Sequence, residues 1–329
     1  MRHPPYHLRT NKAVDRLLLV ELLRALNPNG GKFNYYSLAG PFLEDLRVIS
    51  NYFPDAVLFS LESNAQTYSR QQFNQFSSRL RLVRATLMDF LTHNYEAGEQ
   101  DVFWLDYTDL NYGRFEEFQV VLKAVPPGSV VRLTLRAQPE VDLRPLEERL
   151  TEDALKRLRA EVEAKFEEQF SKVLPHPVAG ALATPEDYAR MVQLMVRRAA
   201  SVALDQPGSD RDFLPVHSMR YDDHTQMLSI TGVVAKREEI AVLREGLNSV
   251  RFANFDWAAP DQINIPALSA KERHKLERLL PVENGVEAGA VLFGELGYFI
   301  DNSEAATKRQ LAQYADYHRE YPQFVRIAV

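Results

Sequence analysis

Glu62, Asp89 and Asp106 recur at one kind of place: each stands at the end of a short apolar run that reads as a β-strand, or a few residues past it. Carboxylates in such positions can accept hydrogen bonds from ribose hydroxyls or an exocyclic amine, or hold an acceptor hydroxyl while its proton is removed. Ahead of them lies Tyr35-Tyr36-Ser37-Leu38-Ala39-Gly40-Pro41-Phe42-Leu43-Glu44-Asp45, which reads as a strand, a glycine turn and the start of a helix. Gly40 lets the backbone come close to a ligand. Asp106 is followed by Tyr107, an acid beside an aromatic ring. Ser37, Ala39, Gly40, Pro41, Glu62 and Asp89 are therefore candidate binding residues, and Asp106 with Tyr107 is the candidate catalytic pair. Each also has a plainer reading: a strand–helix turn at Gly40, a solvated acid at Glu62, helix caps at Asp89 and Asp106, and a packing ring at Tyr107.

The elements that must position these residues alternate between strand-like and helix-like segments. Asn11 is predicted to cap a helix over Lys12–Leu26, which Asn27-Pro28-Asn29-Gly30-Gly31 ends. Strands are predicted over Phe33–Leu38, Ala56–Leu61, Arg79–Arg84, Asp101–Leu105 and Ser129–Leu135. Helices are predicted over Phe42–Tyr52, Thr67–Phe76 and Phe115–Ala124. This rhythm predicts an α/β fold, a doubly wound and mostly parallel sheet that binds ligands beyond the carboxyl ends of its strands.

The character of the chain changes after about residue 138. Leu143–Leu174 is a long charged helical stretch stopped by Pro175 and Pro177, and its mixed signs read as a solvated face. Thr184-Pro185-Glu186-Asp187 opens a helix that runs to Leu204. Phe213–Arg220 and Gln226–Ala235 read as strands around the turn Asp222-Asp223-His224-Thr225. Ser269 and Glu272 fit a capping box, and Glu304–Val329 reads as a tyrosine-rich helix with an apolar tail. The division expected is an N-terminal helical segment (1–32), a Rossmann-like core (33–138) and an α+β extension (139–329) for substrate or partner binding.

Residues 33–137 resemble a class I S-adenosylmethionine-dependent methyltransferase. The resemblance rests on Ala39-Gly40-Pro41 after the first strand, Glu62 after the second, and Trp104-Leu105-Asp106-Tyr107 at the fourth. It implies S-adenosylmethionine as cofactor, with Ser37, Ala39, Gly40, Pro41, Glu62 and Asp89 around it. It also implies that Asp106 orients or deprotonates the acceptor, and that Tyr107 stacks on the acceptor or shapes the methyl channel. The glycine loop is reduced: Gly40 stands alone, and Ser37 occupies the place where the family usually carries an acid. That reduction keeps a second reading open, a methyltransferase-like scaffold or regulatory subunit of a bacterial, defence-type complex, binding a protein partner through 140–329.

Composition narrows the field. The 329 residues include no cysteine, so disulfides and thiolate metal sites are excluded, which suits a reducing cytoplasm. No apolar run approaches the roughly 20 residues of a membrane span, and the first residues lack a signal-peptide core. The net charge of −6 gives no global basic field, so a nucleic-acid acceptor is not indicated by charge, although a local groove stays open. No G-x-G-x-x-G or phosphate loop is present, which disfavours a dinucleotide dehydrogenase. His217 and His224, with Asp222 and Asp223, lack a metal-ligand spacing. The sequence leaves open whether Tyr6–Lys12 folds over the ligand edge or is a tail with a cap.

Overall fold

The computed structural model describes residues 9–139, 149–175, 178, 182, 184–283 and 287–322. The expected contributions of Tyr6, His7 and Leu8, of Leu143–Glu148, of Pro177 and of the apolar tail 323–329 lie outside these residues. The chain divides into two compact units. The larger comprises Val20–Arg220 with Thr225–Asp261; the smaller comprises Met1–Leu19, Tyr221–His224 and Gln262–Val329.

The strands are β1 (Asn34–Ser37), β2 (Val57–Leu61), β3 (Leu80–Val83), β4 (Asp101–Asp106), β5 (Val130–Arg136), β6 (Arg211–Asp222), β7 (Gln226–Lys236) and β8 (Asp261–Ile263). They form one sheet in the order β3-β2-β1-β4-β5-β7-β6-β8. β3, β2, β1, β4 and β5 run parallel, and β7 enters antiparallel beside β5, with Val130 opposite Val233 and Arg136 opposite Met227. The strand order reverses between β1 and β4. In doubly wound sheets ligands bind at such a switch point, outside the strands' carboxyl ends. The first five strands emerge within a residue or two of their predicted bounds. Strands covered on both faces are continuous apolar runs, as Val102–Leu105 is, and such runs are easily read.

One face of the sheet packs on α4 (Leu87–His93), α5 (Tyr112–Ala124), α6 (Glu152–Phe170) and α7 (Pro185–Leu204). Phe103, Leu105, Leu133 and Leu135 meet Phe115, Phe118, Phe170 and Met195 in this core. A ladder of rings crosses three strands within it. Tyr36 stacks on Phe59 of β2 at 4.6 Å and on Phe103 of β4 at 4.4 Å, centroid to centroid. Burial pushes the Tyr36 hydroxyl well above its usual range, and the charge of Asp101 adds to this.

The other face carries a buried polar layer. The Trp104 indole N–H donates to Thr134 Oγ1 at 2.9 Å, and the Arg132 guanidinium lies 4.7 Å over the indole. Arg132, 1% exposed, also donates to Thr231 and Ser229 of β7. His217 of β6 is 1% exposed and bonds the carbonyl of Arg251 through Nε2 at 3.0 Å. Burial, with the nearby Arg132 charge, holds its pKa down at about 4.

Two helix starts differ from expectation. α1 (Thr10–Leu26) begins before Asn11, so Asn11 is a helical residue and not the cap. The first amides of α1 are satisfied from far along the chain: the carboxylate of Asp223 accepts from Lys12 N at 2.9 Å and Asn11 N at 3.3 Å. The Asn11 side chain instead donates to the Asp222 carbonyl and accepts from Ile265 N. The turn acids thus serve a helix terminus, and among the described residues no cluster of three or more His, Asp or Glu could hold a metal ion. α2 (Glu44–Tyr52) starts two residues after its predicted start at Phe42, because Leu43 adopts the left-handed conformation at φ 58°. Side chains beyond glycine, Asn and Asp rarely take that conformation. Leu43 does so while fully buried.

The remaining larger-unit helices are α3 (Ala65–Asn74), capped by Asn64, and α8 (Ile240–Gly246). Within the predicted charged stretch the helix α6 occupies Glu152–Phe170, capped by Thr151. In the smaller unit, α9 (Ala270–Glu277) has the predicted capping box, and α10 (Ala288–Leu296) packs on α11 (Glu304–Tyr317) through Gly289, whose Cα lies against the Lys308 carbonyl. No helix among the described residues is long and apolar enough to cross a membrane.

The buried His217 generates a pH prediction. Its folded pKa of about 4 lies below the ordinary 6.5, so the unfolded chain takes up a proton that the folded one refuses. Folding stability therefore falls as pH drops from about 6.5 toward about 4, by at most about 3 kcal/mol. Denaturant unfolding of wild type and His217→Gln across this range should show a shallower fall in the variant; parallel curves would refute the assignment.

Candidate functional site

The candidate residues other than Asp89 lie at or just past the carboxyl ends of β1, β2 and β4. Ser37 pairs in register with Ser60 on one side and Trp104 on the other. Two residues further along each strand stand Ala39, Glu62 and Asp106, so these three share one level. Adjacent strands are about 4.8 Å apart, which sets the backbones at Glu62 and Asp106 about 10 Å apart across β1.

The loop after β1 is fastened from behind by α3. The fully buried Gln71 donates from Nε2 to the carbonyls of Ala39 at 2.6 Å and Gly40 at 3.3 Å, and its Oε1 accepts from Ser60 Oγ at 3.0 Å. Asn74 donates to the Pro41 carbonyl at 2.9 Å. In a trans peptide the N–H points opposite to the C=O. Drawing the Ala39 and Pro41 carbonyls toward α3 therefore turns the Gly40 and Phe42 amides away from it. The Ser37 hydroxyl donates to the Asp45 carboxylate in the first turn of α2. Neither Gln71 nor Asp45 is among the residues the sequence singled out for this site.

Glu62 follows β2 directly. Its amide continues the sheet by donating to Val83 O at 3.1 Å, and one carboxylate oxygen accepts from Asn64 N at 2.6 Å. Asp89 sits apart from this level, exposed in the first turn of α4, where it accepts from the Thr86 hydroxyl at 2.7 Å. Thr86 is the cap of that helix, accepting from the Asp89 amide. Asp106 ends β4 opposite Thr134 of β5.

Tyr107 is 6% exposed and belongs to the core. Its amide donates to Thr134 O, and one face of its ring is covered by the Arg114 guanidinium at 4.3 Å. Arg114 is itself clamped, reaching Asp109 through Nε at 3.0 Å and Nη2 at 3.2 Å, and Glu117 at 3.1 Å. Burial pushes the Tyr107 hydroxyl far above its usual range, with Glu117 adding to the effect, so it stays protonated at neutral pH. A cavity of about 270 Å³ opens beside this end, lined by Asp109, Arg136, Phe166, Phe170 and Tyr188 among others.

A doubly wound sheet in the order 3-2-1-4-5-7-6, with β7 antiparallel and acids on the switch-point edge, defines a class I methyltransferase-like protein. The chain belongs to the family described as "Putative O-methyltransferase", which it matches over residues 4–329. No curated protein matches it. Among solved structures it is similar to the plantazolicin methyltransferase BpumL in complex with SAH, at 9% identity and a TM-score of 0.39 over 67% of this chain and 84% of that one. It is also similar to Trm1 from Pyrococcus horikoshii with S-adenosyl-L-methionine, at 13% identity and a TM-score of 0.45 over 73% of this chain and 60% of that one. A precorrin-6y C5,15-methyltransferase from Geobacter metallireducens GS-15 matches at 13% identity and a TM-score of 0.31, over 61% and 79% of the two chains. At these scores the family match, not the structural likeness, assigns the chain.

The fastening of the loop can be tested without any ligand. Gln71→Leu leaves the Ala39 carbonyl and the Ser60 hydroxyl buried without partners, which costs about 2–4 kcal/mol. Urea unfolding of the variant should show a loss in that range. A loss under about 0.5 kcal/mol would mean that the loop does not depend on Gln71.

Proposed function

We propose that the protein is an S-adenosylmethionine-dependent O-methyltransferase, with its cofactor on the edge formed by the loop after β1, Glu62 and Asp106. The observation that carries this reading is the common level of Ala39, Glu62 and Asp106 at the switch point, set by the register of three parallel strands. The family match supports the reaction type. The residues fit the cofactor's chemistry: a molecule with a sulfonium and an ammonium group meets an edge bearing the acids Glu62 and Asp106. The amides of Gly40 and Phe42, turned away from α3, add two donors.

S-adenosylmethionine supplies a methyl carbon on a positively charged sulfur, which keeps the bonding electron pair when the methyl passes to the acceptor oxygen. The chain's own part is placement and proton handling. Glu62 accepts from the ribose hydroxyls with the carboxylate oxygen not bound to Asn64 N. Ser37, Ala39, Gly40 and Pro41 shape the backbone cradle, and Asp45 holds Ser37. Asp89, out on α4, would serve the adenine end. Asp106 holds the acceptor hydroxyl and takes its proton as the oxygen acquires the methyl. Tyr107, with its ring under Arg114, is a positioning residue that fixes the chain directly after Asp106.

Isothermal titration with S-adenosylhomocysteine, beside a thermal melt with S-adenosylmethionine, tests this. Ligand at about 100 times its Kd should stabilise the fold by about 2.7 kcal/mol. Glu62→Ala should weaken binding about 10–100-fold through lost ribose hydrogen bonds, with little change in the ligand-free melt. Absence of heat and of any melting shift with both ligands, on folded protein, would sink the reading.

A further inference from the structure

We propose that the outer surface of α2 and α3 docks single-stranded nucleic acid, with Arg47 and Arg70 meeting phosphates and Phe73 stacking on a base. This surface shares no side chain with the proposed cofactor edge, so its binding is separable from methyl transfer. The segment 63–88 contains no Asp or Glu, yet it carries Arg70, Arg79, Arg81 and Arg84, in a chain of net charge −6. A local basic surface is thus present that the total charge conceals.

The state of the arginines points to a polyanion. Elsewhere exposed arginines are paired with acids, as Arg237 is with Asp205 and Arg244 with Asp256. Arg47 and Arg70, both exposed, make no ion pair among the described residues. The Arg70 guanidinium lies 4.9 Å over the Phe42 ring and makes no hydrogen bond among those residues. The Arg47 guanidinium lies 4.5 Å over the Phe76 ring and spends Nη2 on the Asn74 carbonyl at 2.9 Å. A ring beneath a guanidinium fixes its plane and leaves the N–H fork at its edge free for a phosphate. The neighbouring acid Asp45 is turned to the Ser37 hydroxyl.

The exposed ring points to bases. Phe73 is 90% exposed and stands on the side of α3 opposite Gln71, which holds the loop after β1. Gln66, Arg70 and Phe73 follow at four- and three-residue spacing, so amide, guanidinium and ring lie along one side of the helix. Basic side chains for the backbone beside an aromatic face for the bases make the platform on which single strands bind. A duplex keeps its bases stacked and offers the ring nothing. An acidic peptide would meet the arginines and leave Phe73 in water. A bilayer is met by a broad apolar helical face, and the exposed side of α3 is one ring among polar groups.

The test is fluorescence anisotropy on the full chain with a labelled oligouridylate, an oligothymidylate and a DNA duplex of equal length, from about 50 to about 200 mM salt. At least one single strand should bind about 10-fold more tightly than the duplex. Phe73→Ala should weaken that strand about 10-fold, the loss of one base–ring stack, with an unchanged melting temperature because the ring is exposed. Arg70→Gln should weaken it too, and should make the slope of log K against log salt shallower by about 0.7, one phosphate contact. Polyglutamate and phosphatidylserine vesicles are the competing anions. The proposal is overturned if neither strand binds at low salt, if strand and duplex bind equally, or if Phe73→Ala keeps full affinity. It is equally overturned if polyglutamate or the vesicles bind as tightly as the strand, or if sedimentation shows a wild-type dimer that Phe73→Ala separates.

Discussion

Everything at the candidate site depends on the register of β2, β1 and β4, and that register is held by one ladder of rings. Phe59, Tyr36 and Phe103 stand side by side in adjacent strands and stack at 4.6 and 4.4 Å. A strand that slips by one residue turns its whole core set to the opposite face. Here such a slip would take a ring out of the stack and set Glu62 or Asp106 one residue off the level of Ala39. The ladder thus links a packing preference in the core to the spacing of two carboxylates at the edge. Aromatic cross-strand pairs contribute roughly 0.2–1 kcal/mol each, modest in stability but decisive between registers.

The opposite face of the sheet solves a different problem. A guanidinium in a sheet interior is costly unless hydrogen-bond partners or a ring face compensate it. Arg132 is placed so that its ring partner is Trp104 of β4 and its hydroxyl partners are Ser229 and Thr231 of β7. This joins the parallel half of the sheet to the antiparallel strand inserted beside it. Burial, with this cation beside it, depresses the basicity of His217, so the imidazole stays neutral at neutral pH.

Of the parallel strands β4 is the most legible, because it is a mostly apolar run buried on both faces. The acids at the strand ends were legible in turn, since finding a strand finds its end. The role of Asn11 was not legible because the group that caps α1, Asp223, lies 212 residues from it, and no local rule reaches that far. The compositional change near residue 138 is real in the sequence, yet β6 and β7 pair into the same sheet as β1–β5, and strand pairing across such a span leaves no local mark. Gln71 gave no signal at all: it sits in a polar helix, and only the fold reveals that it is buried against three acceptors or donors of the loop and β2. The Thr86–Asp89 bond, in contrast, is a short-range pattern of cap and third residue; the plainer reading took Asp89 itself as the cap, whereas the cap is Thr86.

The left-handed Leu43 has a consequence for how a ligand is received. The turn into α2 is set by a side chain locked in the core, with its N–H on the Gly40 carbonyl and its own carbonyl on Arg47 N, and not by a run of flexible glycines. A glycine-rich loop must surrender backbone freedom when it closes on a ligand, roughly 1–2 kcal/mol per residue fixed. In this chain that freedom was already surrendered during folding. A ligand taken at this edge would therefore meet backbone that is already ordered, with little ordering entropy left to oppose it, and the scarcity of glycine would act as preorganisation.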